Sequence, residues 1–319
     1  MSRLWAFLLP IQLSMTSLLS AQLDVHQQLG TTAQSDFQGR FEEAVEQARP
    51  LLESDQLTER ERGRGWVVLG FAYQHQGEFQ EATTAYENAI RILEKRNEDA
   101  ADYASALSAF GTLYRDMLQF DAAAQMQMRA LHVDQQINDH GGIAAVCANL
   151  ADIELGSRHI RKAQAWLDEA VQESKLASDL DESFYAFITS SEAWIAELRG
   201  DEPAAIAGFQ KEIGYLTHSS AEQNPPLGWA YMLLGKAYLK NGDIKGALSN
   251  MRKGRSILLQ TVGTGSPRYL LAQVAYAQAL DAAGMRAQAV QARADAEQKL
   301  SAIYKQQCTQ CRITALALH

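Results

Sequence analysis

Residues 66–89, WVVLGFAYQHQGEFQEATTAYENA, decide how this chain is organised. Trp66, Leu69, Gly70 and Tyr73 recur at three- and one-residue steps, which puts them on one stripe of a helix. Gly77 interrupts the run. Phe79, Ala82, Tyr86 and Ala89 then resume helical spacing, so a second helix folds back on the first. Gly70 and Ala82 are small enough to let the two backbones cross closely, while Trp66, Tyr73 and Tyr86 fill the volume around the crossing.

The same pattern returns along the chain. Phe110, Gly111 and Tyr114, with Phe120, Ala123 and Ala130, lie 41 residues further on, and Leu150 and Ala151, with Ile160, Ala163, Leu167 and Ala170, follow after 40 more. Ala193, Gly200, Ala205 and Phe209 continue the frame at 42 residues, although Glu192 and Glu212 stand where apolar or small residues are expected. Two further units at 42 residues carry Leu234, Gly235, Tyr238, Gly242 and Ala247, then Tyr276, Ala277, Leu280, Gly284, Ala289 and Ala296. Upstream, Gly39, Ala44, Ala48 and Leu51 read as a second half-unit, in which Pro50 predicts an atypical or broken helix. Units are therefore expected near 38–55, 63–96, 103–137, 143–177, 185–217, 227–260 and 269–303, with an irregular tail over 304–319. Asp201, followed by Pro203, marks one clean helix start.

The motif W-x2-L-G-x2-Y followed by A-x3-Y, met at Trp66, Leu69, Gly70, Tyr73, Ala82 and Tyr86, resembles the tetratricopeptide repeat. A pitch of 40 to 42 exceeds the repeat's usual length of about 34, an excess of roughly one turn per helix. Long units of this kind resemble those of kinesin light chains. Val262 to Pro267, VGTGSP, is similar to the Gly-x-x-His-Pro turn that opens such units, with Ser266 in place of the histidine. The likeness covers about residues 36 to 303 and implies an all-α, right-handed α-α superhelix of about six helical hairpins, the first helix of each lining a concave face. The family's groove positions then fall on Arg64, Phe71, His75, Thr112, Arg115, Asp152, Phe187, Trp194, Lys236 and Lys240. Phe71, Phe187 and Trp194 are rings that packing within a hairpin does not require, and exposed aromatics beside cations are the usual anchors of a partner interface. The expectation is a non-catalytic scaffold for a peptide or protein segment, oriented by Arg64, Arg115, Lys236 and Lys240. A lysine-asparagine-arginine clamp for a C-terminal carboxylate does not assemble, because Val67 and Phe71 follow Arg64. The competing reading is a structural or envelope-complex subunit that forms homo-oligomers through the apolar ends of the array.

Twenty-nine basic residues against 38 acidic ones give a net charge of −9, which opposes nucleic-acid binding. Arg3, the apolar run Leu4 to Leu9, Pro10, and small residues up to Ser20 and Ala21 have the order of an export signal over 1–21, ahead of a polar segment over 22–37. A periplasmic or secreted location is expected, with no membrane span after signal removal. Cys147 reads as core filler, whereas Cys308 and Cys311 read as a local tail disulfide or two inert thiols. Seven scattered histidines form no H-E-x-x-H pair, and neither G-x-S-x-G nor a Walker motif is present, so no metal, cofactor or catalytic residue is expected.

Overall fold

The computed structural model describes residues 39–178, 180–219 and 224–307, together with Thr32. Their helices are α1 (Phe41–Glu53), α2 (Glu59–Gln76), α3 (Phe79–Leu93), α4 (Ala100–Asp116), α5 (Phe120–Ile137), α6 (His140–Gly156) and α7 (Ile160–Ser174). There follow α8 (Glu182–Arg199), α9 (Glu202–Ser219), α10 (Pro225–Lys240), α11 (Ile244–Val262), α12 (Pro267–Ala282) and α13 (Arg286–Gln307). A half-unit, α1, thus precedes six antiparallel hairpins, and the described residues contain no strand. The proposed signal and the pair Cys308 and Cys311 lie outside the described residues.

Local chemistry sets the helix ends. Thr58 and Glu61 cap α2 reciprocally, Thr58 N–H donating to Glu61 Oε2 at 2.9 Å and Glu61 N–H to Thr58 Oγ1 at 3.2 Å. Asp139, Asn224 and Asp243 each accept a backbone N–H three residues on, at 2.9 Å. Pro50 does not break α1, which runs on to Glu53. It sits in the last turn, so few following residues depend on the lost hydrogen bond, and Ala48, Leu51 and Leu52 stay buried around it.

Every second helix is preceded by one residue in the left-handed region: Gly39, Gly77, Leu118, Arg158, Gly200, Gly242 and Gly284, with φ between 56° and 83° across the chain's left-handed turns. This residue fixes the register of each hairpin. Seven positions before it stands the small residue of the crossing, Gly70, Gly111, Ala151, Ala193, Gly235 or Ala277. A Cβ added to Gly70 would lie 2.8 Å from the Tyr86 ring, and one added to Gly235 would lie 2.4 Å from Met251 Cγ. Glu212 occupies the second-helix position held elsewhere by Ala89, Ala130, Ala170, Gly254 and Ala296, and it is buried there.

The array also touches itself. A Cβ at Gly39 would meet Pro225 Cγ at 3.0 Å and Thr261 O at 2.9 Å, and one at Gly77 would meet Pro267 Cγ at 2.9 Å and Ile303 Cγ2 at 3.2 Å. Both contacts join a left-handed turn to the proline that opens a helix five units later, so one superhelical turn packs directly on the next. At the far end of α13, the Tyr304 ring lies 5.7 Å from that of Phe79, and its hydroxyl donates to Asp116 O at 3.3 Å. One buried cluster consequently contains Phe79, Tyr86 and Met117 together with Leu270, Leu300 and Tyr304. The last hairpin is covered in part by the first ones. This is a different arrangement from two free apolar ends.

Two predictions test these contacts. Gly242 has φ +82° and no neighbour within 4 Å of an added Cβ, so Gly242→Ala should cost about 1–2 kcal/mol in denaturant unfolding, from backbone strain alone. Gly77→Ala carries the same strain plus the clash with Pro267, and should cost at least about 1 kcal/mol more. Glu212 provides a pH test. Burial pushes its pKa up to about 8, against a favourable hydrogen bond from Ser190, and its Oε2 has no partner. The folded chain then holds a proton that the unfolded chain releases above its ordinary 4.5, so stability falls as pH rises from about 4.5 through about 8. Glu212→Gln should therefore gain about 1–3 kcal/mol on the wild type between pH 5 and pH 8.

Candidate functional site

The first helices form the inner wall: α2, α4, α6 and α8 stand side by side, as do α10 and α12. Counted back six residues from the left-handed turn, the wall carries Phe71, Thr112, Asp152, Trp194, Lys236 and Gln278. Counted back thirteen, it carries Arg64, Ser105, Ala145, Phe187, Trp229 and Leu271. Two helical repeats of that spacing bring these positions onto one stripe.

Charged side chains lace neighbouring helices of the wall. Arg64 Nε lies 2.9 Å from Asp102 Oδ1, and Arg60 Nε lies 2.6 Å from Asp102 Oδ2, which ties α2 to α4. Gln74 Nε2 donates to Asp116 Oδ2 at 2.6 Å, and Gln74 Oε1 accepts from the Tyr86 hydroxyl at 2.9 Å. Arg115 reaches Asp152 Oδ2 at 2.9 Å and Asp116 Oδ1 at 3.0 Å, which ties α4 to α6. Lys240 Nζ and Lys236 Nζ lie 2.5 and 3.9 Å from Glu197 Oε1, which ties α8 to α10. Each cation read from the sequence as a ligand contact thus has a carboxylate on the adjoining helix.

The wall divides into two parts. Near its N-terminal end, the Phe71 and His75 rings lie 4.0 Å apart in a tilted pair, and the Phe41 ring of α1 stacks on His75 at 4.7 Å. Burial, and secondarily the Arg268 guanidinium, bring the His75 pKa down to about 4, so the ring is neutral at neutral pH, with Nδ1 3.0 Å from Phe71 O. Thr112 donates to its own helix, at Ala109 O, at 2.7 Å. Arg268, which opens α12, faces Arg115, Asp116 and Asp152 across the bore and sits 5.7 Å over the Trp229 ring. Burial holds the Arg268 pKa below its ordinary value and raises that of Asp152.

Toward the other end the wall opens. Phe187 and Trp194 are half-buried against the cluster of Cys147, Ala151 and Ile195. Trp194, Glu197 and Leu198 of α8, with Lys236, Leu239 and Lys240 of α10, enclose a pocket of 280 Å³. Arg158, from the turn after α6, and Gln278 of α12 complete it. Lys236 is held below its ordinary pKa by burial, with Glu197 opposing the shift and Lys240 and Arg158 adding to it. Arg158 could have been found from the repeat frame, since it fills a turn position that elsewhere favours glycine. Arg268 had no such signal, because only the contact between superhelical turns brings it to Asp116. Among the described residues no cluster of metal-ligating side chains occurs, and no helix is long and apolar enough to cross a membrane.

A family model described as tetratricopeptide repeat matches residues 61–136, which cover α2 to α5. The chain is similar to the protein KINESIN LIGHT CHAIN-RELATED 3 of Arabidopsis thaliana, at 23% identity over 212 residues, 63% of this chain and 31% of that protein's length. Among solved structures it resembles the Rap conjugation gene regulator of plasmid pLS20, determined in complex with a Phr peptide, with a TM-score of 0.71, 12% identity, and coverage of 99% of this chain and 82% of that one. It also resembles BtubC (BKLC) from P. vanneervenii, with a TM-score of 0.50, 20% identity, and coverage of 75% and 93%. Those likenesses concern the fold. The repeat match, the pitch and the hairpin geometry agree on an all-α superhelix of tetratricopeptide-repeat type, with long units like those of the kinesin light chain-related proteins.

Proposed function

We propose that this chain is an exported scaffold that binds a peptide or protein segment along the inner faces of α6, α8, α10 and α12. The observation that carries this reading is the contrast between the two parts of the wall. Phe71 and His75 have the Phe41 ring against them, whereas Phe187, Trp194 and Trp229, equally half-buried, lie on one stripe beside Arg158 and Lys240. Rings flanked by cations supply large contact area at small entropic cost. A regulator with the same fold was solved holding a peptide, which agrees with this use of the wall. Ion pairs between neighbouring helices hold the wall in place before a partner arrives, and a wall already ordered loses little entropy on binding. Export rests on Arg3, the run Leu4 to Leu9, and the small residues ending at Ala21.

Peptide-array binding followed by titration tests the groove. Segments retained by the wild type should bind Phe187→Ala/Trp194→Ala at least about tenfold more weakly, which is 1.4 kcal/mol. Val290→Ala, at an exposed site on α13, should leave binding unchanged. Equal loss in both variants, or none in the first, contradicts the assignment. The same preparation tests export: in its own host, the purified chain should begin at Ala21 or Gln22 by mass spectrometry.

A further inference from the structure

We propose that the pocket between the ends of α6, α8, α10 and α12 is a site for a small organic carboxylate that also carries a compact apolar group, as an N-acyl amino acid does. Two features of the pocket converge on that chemistry.

Charge comes first. Arg158, Lys236 and Lys240 line the pocket against one carboxylate, Glu197, and Arg158 has no carboxylate within ion-pair distance among the described residues. The surplus is positive, and a carboxylate placed among the three cations relieves their mutual repulsion. The Glu197 side chain is 3% exposed, its Oε1 takes both lysines, and its Oε2 is buried away from the pocket space, so Glu197 leaves the surplus uncancelled. Shape is the second feature. The Trp194 ring, Leu198 and Leu239 form an apolar side to a pocket of 280 Å³. That volume lies just below the range of about 300–1,000 Å³ typical of drug-sized ligands, too small for a helix and suited to one amino-acid-sized molecule.

The site goes beyond the peptide reading and does not depend on it, since a chain that binds no peptide would keep the same pocket. Calorimetric titration of the full chain with N-acetyl-leucine and N-acetyl-phenylalanine, their neutral amides, and inorganic phosphate provides the test. At least one acid should bind saturably, with its amide and phosphate each at least tenfold weaker. Lys240→Gln and Trp194→Ala should each weaken the acid tenfold or more. Lys240 is 45% exposed, so its replacement leaves the fold intact even if that of Trp194 does not. Lys162→Gln, which removes one of the two partners of Glu154 outside the pocket, should change nothing. Failure of both acids to bind, equal binding by the amide or by phosphate, or full binding in Lys240→Gln overturns the proposal.

Discussion

A left-handed turn pressed against a helix-opening proline five units away is the contact on which the character of this array depends. Gly39 meets Pro225 in this way, and Gly77 meets Pro267. Glycine serves both sides of the contact: it accepts the positive φ, and it has no Cβ to hold the next superhelical turn away. Since the turns touch, the first and last hairpins share one buried cluster, and Tyr304 becomes part of the core of α3 and α4. The concave face is then a narrow bore at one end and an open wall at the other.

The inner wall gains its order from charge pairs that join each first helix to the next. Arg64 with Asp102, Arg115 with Asp152, and Lys240 with Glu197 repeat one arrangement three times along the superhelix. In each pair the carboxylate is the more buried member and the cation is partly exposed. Their effect is to hold cations in place, so that the surplus charge gathers where carboxylates are fewest, around Arg158 and Lys236.

Much of this was legible in the sequence, for a local reason. Hairpin packing repeats the same small and large residues at a fixed distance, and that distance can be read without coordinates. Counting from Gly77 therefore finds Trp194 on the inner stripe even though Glu192 and Glu212 obscure its unit. Glu212 itself was visible as a misfit, and the structure explains it as a carboxyl buried at an alanine position with one oxygen unpaired. Contacts between superhelical turns leave no periodic trace, so Arg268 beside Asp116, and Tyr304 against Phe79, could not be read in advance. Pro50 misled for a different reason. A proline in the last turn of α1 removes a hydrogen bond where the helix is about to end.

The central claim is that the array closes on itself and leaves its inner wall accessible around Trp194. Hydroxyl-radical footprinting of the intact chain, with each rate normalised to the residue's intrinsic reactivity, measures this directly. The closed array predicts Tyr304 as protected as the fully buried Phe209, and Trp194 much faster than either. Tyr304 reacting as fast as Trp194 would mean that the last hairpin stands free of the first, and would contradict the account.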